Sequence, residues 1–249
     1  MQLAQLLFSQ GFGNRRECAR LIRQGQVRVG GQTIEDPATE LGELPSDPAL
    51  SFEVHGQLWA YQAQACLMLH KPAGYECSRS PRHHPSVMSL LPEPLRQRGV
   101  QPVGRLDEDT TGLLLFSDDG KLIHRLTHPK WQVSKLYEVQ TRHPLDDKQV
   151  QQLLGGVFLH DDPQPASAVA ASIAAPRQLH LVLSDGRYHQ VKRMLAAVSN
   201  RVDALHRSRF GPLQLDPQLP PGQWRWLTAN ERESLDPASA SNPAGLKRA

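Results

Sequence analysis

A change of pattern near residue 60 constrains the fold more than any other feature of the chain. Before it, Leu3–Ser9 carries helical apolar spacing, Gly11-Phe12-Gly13 breaks the chain and a second helix follows. Asn14 is placed to cap that helix, Glu17 three residues on completes a capping box, and Ala19, Leu21 and Ile22 give it an apolar stripe up to the stop at Gly25. Val27-Arg28-Val29 then alternates, Gly30-Gly31 turns the chain and Gln32-Thr33-Ile34 returns it, so the expectation is helix, helix, hairpin. Beyond residue 60, short strand-like runs dominate: Cys66–Leu69, Leu113–Ser117, Lys135–Thr141, Ala168–Ala174 and Leu179–Ser184. Helices at Gly120–Leu126 and from Tyr188 onward interrupt them. This irregular alternation lacks the strand-helix repeat of a parallel sheet and predicts an α+β fold, with a small front unit and a larger, mainly antiparallel domain. The expected limits are 1–58 and 64–234, with residues 55–64 as linker and a flexible tail at 235–249, rich in Ala, Ser and Pro.

Charge is distributed more tellingly than its net value of +3. Residues 1–34 hold Arg15, Arg16, Arg20, Arg23 and Arg28 against Glu17 alone, whereas 35–53 hold six acids and no Lys or Arg. Arg16, Arg20 and Arg23 fall at i, i+4 and i+7, so one helix face carries three guanidiniums able to follow a phosphate backbone. A second basic cluster at 177–209 contains Arg187, Lys192, Arg193 and Arg207. Basic patches in a nearly balanced chain point to a polyanion held at defined places, or to ordinary solvated helix faces. The three cysteines, Cys18, Cys66 and Cys77, match neither a disulfide framework nor a zinc pattern. With no apolar run of membrane-spanning length and no basic leader, the expectation is a cytoplasmic, unexported protein with no membrane partner.

The motif richest in chemistry is Gly104-Arg105-Leu106-Asp107-Glu108-Asp109-Thr110-Thr111-Gly112, held between Val100-Gln101-Pro102-Val103 and the apolar run Leu113–Phe116. A charged loop clamped by two core segments suits catalysis, because the strands fix it while its backbone stays accessible. A solvated turn with capping acids gives the same local pattern. Tyr137 alternates within Lys135–Val139, where a core tyrosine is the ordinary explanation. His124 and His128 have i, i+4 spacing, but Arg125 stands where a zinc-hydrolase helix has glutamate, so no metal is expected. Trp59, Trp131, Trp224 and Trp226 read as packing residues.

Leu3–Ile34 resembles the S4-type RNA-binding module, through Arg15-Arg16, Ala19-Arg20-Leu21-Ile22 and Gly25-Gln26-Val27-Arg28-Val29, departing from it at Gln2 and Ala4. Gly104-Arg105-Leu106-Asp107, Thr110 and Gly112-Leu113-Leu114 match the signature of the bacterial rRNA pseudouridine synthases. Lys71-Pro72-Ala73-Gly74, Lys135–Val139 and Gly186–Leu195 follow in that family's order, with His70 as a departure. The extended likeness through Tyr188–Met194, Leu205-His206-Arg207 and Pro221–Arg225 is closest to the subfamily acting on small-subunit rRNA. The resemblance implies an S4-like α/β RNA-binding domain followed by a mixed-sheet synthase domain, and isomerisation of a 16S uridine of the uridine-516 type. It implies Asp107 as catalytic carboxylate, Lys192 as its cation in preference to Arg193, and Tyr137 as the ring stacking on the target base. Arg105 would take the vacated stack or grip a flanking phosphate, and Arg15, Arg16, Arg20, Arg23, Arg28 and Arg193 would hold RNA. Glu108 and Asp109 are expected to be bystanders. No cofactor is implied; the partner would be ribosomal RNA or a small-subunit assembly intermediate, met by a monomer.

Three readings compete with this one. The first is a synthase for large-subunit rRNA. The second is a non-catalytic RNA-binding or ribosome-assembly factor, opposed by the joint presence of Asp107, Tyr137 and Lys192. The third is a metal-dependent nuclease using Asp107, Asp109, Asp118 and Asp119, opposed by a strand that separates the two acid pairs and by Lys192 competing with metal.

Overall fold

The structure, a computed structural model, describes residues 1–44, 50–160 and 162–235. It opens with α1 (Leu3–Ser9) and α2 (Arg15–Arg23), followed by β1 (Val27–Val29), β2 (Gln32–Thr33), β3 (Ser51–Val54) and β4 (Gln57–Ala60). Asn14 accepts from the amides of Arg16 and Glu17, while the Glu17 carboxylate receives the Asn14 amide, completing the expected capping box. The buried face of α2 is formed by Cys18 and Ile22; Ala19 and Leu21 lie half-buried beside it. These residues meet Leu3, Leu6, Leu7, Val27, Phe52 and Val54 in a core of their own, beside a sheet ordered β2-β1-β3-β4.

The stretch read as linker is half strand: β4 pairs antiparallel with β3 from Gln57↔Val54 to Ala60↔Ser51. Trp59 there packs edge-on against Phe12 at 5.2 Å, which draws the segment into the front unit. Arg98 ties this unit to the rest. Its guanidinium donates to Gln10 Oε1 at 2.8 Å, to the Ala63 carbonyl at 3.0 Å and to Asp118 Oδ2 at 2.5 Å.

The larger domain runs β5 (Cys66–Lys71), α3 (Glu93–Gln97), β6 (Gln101–Pro102), β7 (Thr111–Ser117), α4 (Gly120–Thr127), β8 (Lys135–Thr141), α5 (Asp147–Gly155), β9 (Ala170–Ala175) and β10 (Gln178–Leu183). It continues through α6 (Gln190–Ala197), β11 (Val202–Phe210), β12 (Leu213–Gln214), β13 (Trp224–Trp226) and α7 (Ala229–Ser234). One sheet is ordered β13-β5-β7-β11-β8-β10-β9, antiparallel along this path except where β7 meets β11. Expected mixed architecture and observed topology therefore agree. All but Leu235 of the expected tail lies outside the described residues.

Period-two alternation explains how β7 is buried twice over. Leu114 and Phe116 face Leu91, Leu95 and Val100, while Leu113 and Leu115 face Leu126, Phe210 and Leu227. Burying a leucine is worth roughly 1.5–3 kcal/mol, so this strand is a rigid base for the loop preceding it. On the other half of the sheet, Leu179, Leu181 and Leu183 pack under Val150 and Leu153 of α5 and Val191, Met194 and Leu195 of α6. Where β7 crosses β11, Gly112 has φ +109°, and a Cβ there would stand 2.3 Å from the Arg207 carbonyl oxygen. Only glycine permits that approach. Tyr137, Arg207 and Gly112 thus fall in register across three adjacent strands.

Candidate active site

The loop carrying Asp107 is anchored on both sides. Leu106 enters the core and its amide reaches Cys77 Sγ at 3.4 Å, while Thr110 is buried. Lys71, wholly buried at the end of β5, donates to the carbonyls of Pro72 (3.0 Å), Glu108 (3.0 Å) and Thr110 (2.8 Å). The Gly74 amide takes the Glu108 carbonyl as well, at 2.8 Å. Burial draws the Lys71 ammonium below the ordinary lysine range, which the nearby acidic charges only partly oppose. Lys71 therefore acts as a peg: it ties the Pro72 carbonyl to the two loop carbonyls that follow Asp107, those of Glu108 and Thr110.

The opposing groups come from the start of α6. Arg187 fixes that corner by reaching Asp162, Asp185 and the carbonyls of Gln164 and Pro165, and Gln190 closes the turn onto Asp185. The chain then passes through His189 at φ +47°, a left-handed conformation costing a non-glycine residue roughly 1–2 kcal/mol. This twist aims His189 Nε2 to within 3.6 Å of Asp107 Oδ1, and Lys192, one helical turn on, brings Nζ to within 3.5 Å of Oδ2.

Asp109 is no bystander. Its two oxygens accept from Lys192 at 2.7 and 2.8 Å, closer than Asp107 approaches. Partial burial lowers the Lys192 pKa, but the Asp109 hydrogen bond and the Asp107 charge outweigh it, leaving the ammonium above its ordinary value. One cation thus bridges two carboxylates, with Asp109 fixing where the ammonium points. Asp118 and Asp119 do not join them, since Asp118 pairs with Arg98 and Asp119 caps α4. A four-acid metal site is not assembled.

Asp107, His189 and Lys192 line a cavity of about 700 Å³, within the on-the-order-of 300–1,000 Å³ typical of small-ligand sites. Tyr137 lines it from β8, half-buried between two cores, and Arg105 lines it as an exposed side chain. Glu76 gathers the amides of Arg82, His83 and His84 at 2.8–3.1 Å and so shapes a basic loop on the cavity wall. Two further cations contribute. Lys135 is drawn down to about 8, by burial first and then by the neighbouring Arg207 charge. Arg207, 2% exposed, gives Nε to the Leu113 carbonyl at 2.9 Å and lies over the Phe210 ring.

The structure therefore gathers Asp107, Lys192, Tyr137 and Arg105 in one cavity. Arg193 is held elsewhere, by the carbonyls of Tyr188 and His160. Arg15, Arg16, Arg20, Arg23 and Arg28 are exposed on the front unit, Arg15 lying over the Phe8 ring and Arg28 meeting Glu53 at 3.4 Å. Sequence reasoning missed His189, Asp109, Lys71, Lys135 and Arg207 as site groups. His189, Lys71 and Lys135 stand inside motif segments, which is a usable signal. The Asp109–Lys192 contact spans 83 residues and leaves no local trace. Trp131 corrects another expectation: at 47% exposure it is not a packing residue, whereas Trp224 and Trp226 pack edge-to-face at 5.4 Å.

Comparison with known proteins gives a consistent picture. A model of the RNA pseudouridylate synthase family matches residues 65–197, and one of the S4 domain matches residues 1–45. Among curated relatives, a ribosomal small subunit pseudouridine synthase A from Yersinia pestis is 39% identical, covering 94% of this chain and 98% of its own. That of Salmonella typhimurium is 40% identical, covering 94% of this chain and all of its own. A solved structure described as a pseudouridylate synthase superposes with a TM-score of 0.67 at 31% identity, covering 95% of this chain and all of that one.

Proposed function

From the premise that this chain belongs to the RNA pseudouridylate synthase family, and carries an S4 domain ahead of the synthase domain, we propose that its substrate is a uridine of small-subunit (16S) ribosomal RNA, of the uridine-516 type. The family reaction breaks the N1–C1′ glycosidic bond, turns the base and joins C5 to C1′; the C5 proton is lost and N1 gains one. Atoms balance without oxidant, reductant or energy source, so the chemistry asks for no cofactor.

One ionised carboxylate serves this reaction, by attacking C1′ or by removing the 2′ proton. Asp107 is the candidate, and the observation that carries the assignment is its place between Lys192 Nζ and His189 Nε2 in a cavity that also contains Tyr137. The two nitrogen groups, one toward each oxygen, fix the direction in which the carboxylate faces. Asp109 positions Lys192, and Lys71 positions the loop. The target must leave its helical stack at a cost of a few kcal/mol, which stacking on Tyr137 offsets in part. Arg105, exposed on the cavity wall, meets the RNA beside the extruded nucleotide. Arg15, Arg16, Arg20, Arg23 and Arg28 supply phosphate contacts at a distance from the chemistry; Arg193, tied to two carbonyls, gives a weaker one.

The small-subunit assignment draws support from full-length likeness to relatives named for that subunit. It is tested by pseudouridine-specific chemical mapping of rRNA from cells with and without the gene. The proposal expects one small-subunit modification to vanish. Loss of a large-subunit modification instead would support the alternative target, and an unchanged map would overturn both.

A further inference from the structure

We infer that a groove on the outer side of α4 and the 3-10 turn Pro129–Trp131 holds the single-stranded nucleotides on one side of the target uridine. Lys121, His124, Arg125, His128, Lys130 and Trp131 line it. The inference deepens the functional reading above and rests on it.

Three observations converge. The first is continuity, because His128 lines both this groove and the catalytic cavity, and Pro129 lines the cavity as well. An extruded uridine remains covalently joined to both neighbours, so their phosphates must leave the cavity over its rim, and the rim at His128 opens directly into the groove.

The second is charge. Among the described residues none that lines the groove is acidic, and the two acids that precede it in sequence are occupied: Asp118 by Arg98, Asp119 by the amides of Lys121 and Leu122. Arg125 is anchored through Nη2 to the Leu235 carbonyl, which leaves the exposed Lys121 and Lys130 to meet phosphate, with the exposed His124 and His128 rings beside them.

The third is a stacking face. Trp131 stands 47% exposed in a turn made rigid by His128, whose Nδ1 accepts the Lys130 amide at 3.2 Å. Lys130 Nζ lies 5.9 Å from the Trp131 ring, and the rings of His124 and His128 are 4.9 Å apart. Cations that track phosphates, combined with an exposed ring for bases, form the recurrent design of sites for single-stranded nucleic acid that tolerate any sequence. The same parts give a use to the His124–His128 pair, for which no metal was expected, and to a tryptophan that has no place in the core.

The test uses the intact protein and an rRNA fragment containing the modified uridine. Lys121→Glu combined with Lys130→Glu alters two exposed side chains outside the catalytic cavity, and Trp131→Ala removes the ring. The expected result is a KM raised about tenfold with kcat at saturating RNA within about twofold of wild type. The slope of log affinity against log salt should fall by about 1.4, since each single-strand phosphate contact contributes about 0.7. A 4-thiouridine adjacent to the target should crosslink within residues 120–131. Unchanged affinity and salt slope in an active enzyme, with crosslinks elsewhere, would overturn the inference alone. Affinity lost only for ribonucleoprotein particles, not for naked RNA, would assign the groove to a protein and also overturn it. Wild-type protein that forms no pseudouridine in any rRNA would overturn the functional reading and the inference together.

Discussion

Two sets of cations in this molecule are built in opposite ways. On the front unit, Arg16, Arg20 and Arg23 stand exposed along α2, projecting from a helix whose own core is small and self-contained. In the synthase domain, Lys71, Lys192 and Arg187 are fixed: Lys71 by three carbonyls, Lys192 by two carboxylates, Arg187 by two carboxylates and two carbonyls. Phosphate tracking tolerates a flexible cation, because a polyanion offers many equivalent contacts. Chemistry at one carbon does not, since small misplacements of a catalytic group carry large costs in rate. The proposed roles follow this division, exposed guanidiniums for affinity and fixed cations for rate.

The contrast can be broken first through the backbone. Gly112→Ala should cost about 3 kcal/mol or more of stability, combining left-handed strain with a clash against the Arg207 backbone. Gly30→Ala, at φ +57° with open space around it, should cost only about 1–2 kcal/mol. Urea unfolding measures both, and equal costs would remove the claim that the site is the more tightly built region.

Lys192→Met should next lower the single-turnover rate roughly a hundredfold, about 2.7 kcal/mol of barrier, with little change in RNA affinity. Converting Arg16, Arg20 and Arg23 together to Gln should do the reverse: KM rises about tenfold, near 1.4 kcal/mol, while the rate at saturation holds. Kinetics across a salt series distinguishes the two patterns. A rate loss in the arginine variant, or an affinity loss alone in Lys192→Met, would erase the division of labour.

The smallest effect concerns acid stability. Two hydrogen bonds from Arg225 hold the Glu231 carboxyl down to about 2, against an ordinary 4.5. A depressed carboxyl contributes stability that is complete above the unfolded value and is lost as pH falls towards the folded one. Between pH 4.5 and 2 the wild type should lose thermal stability more steeply than Glu231→Gln, which calorimetry across that interval resolves.

Local signals were fully legible in the sequence. The expected Leu3–Ser9 helix, the Asn14–Glu17 capping box and the Lys135–Thr141 strand recur with the same residues, because each depends on spacing within a few positions. The loop of Asp107 was legible for a related reason, its identity lying in one contiguous motif. What escaped depends on contacts distant in sequence. β11 reads as a charged, irregular stretch, yet Arg207 lies within it almost fully buried because Leu113, 94 residues away, supplies a carbonyl. β4 is a strand because β3 lies beside it, and Asp109 acquires a role only once α6 folds over the loop.

At the centre of the account stands one carboxylate held between a lysine and a histidine. Asp107→Asn keeps its shape and removes its charge, and single-turnover pseudouridine formation at saturating RNA isolates the consequence from binding. The account predicts a fall of at least roughly a thousandfold, about 4 kcal/mol of barrier, with RNA affinity retained. Turnover by Asp107→Asn within a few fold of wild type would contradict it.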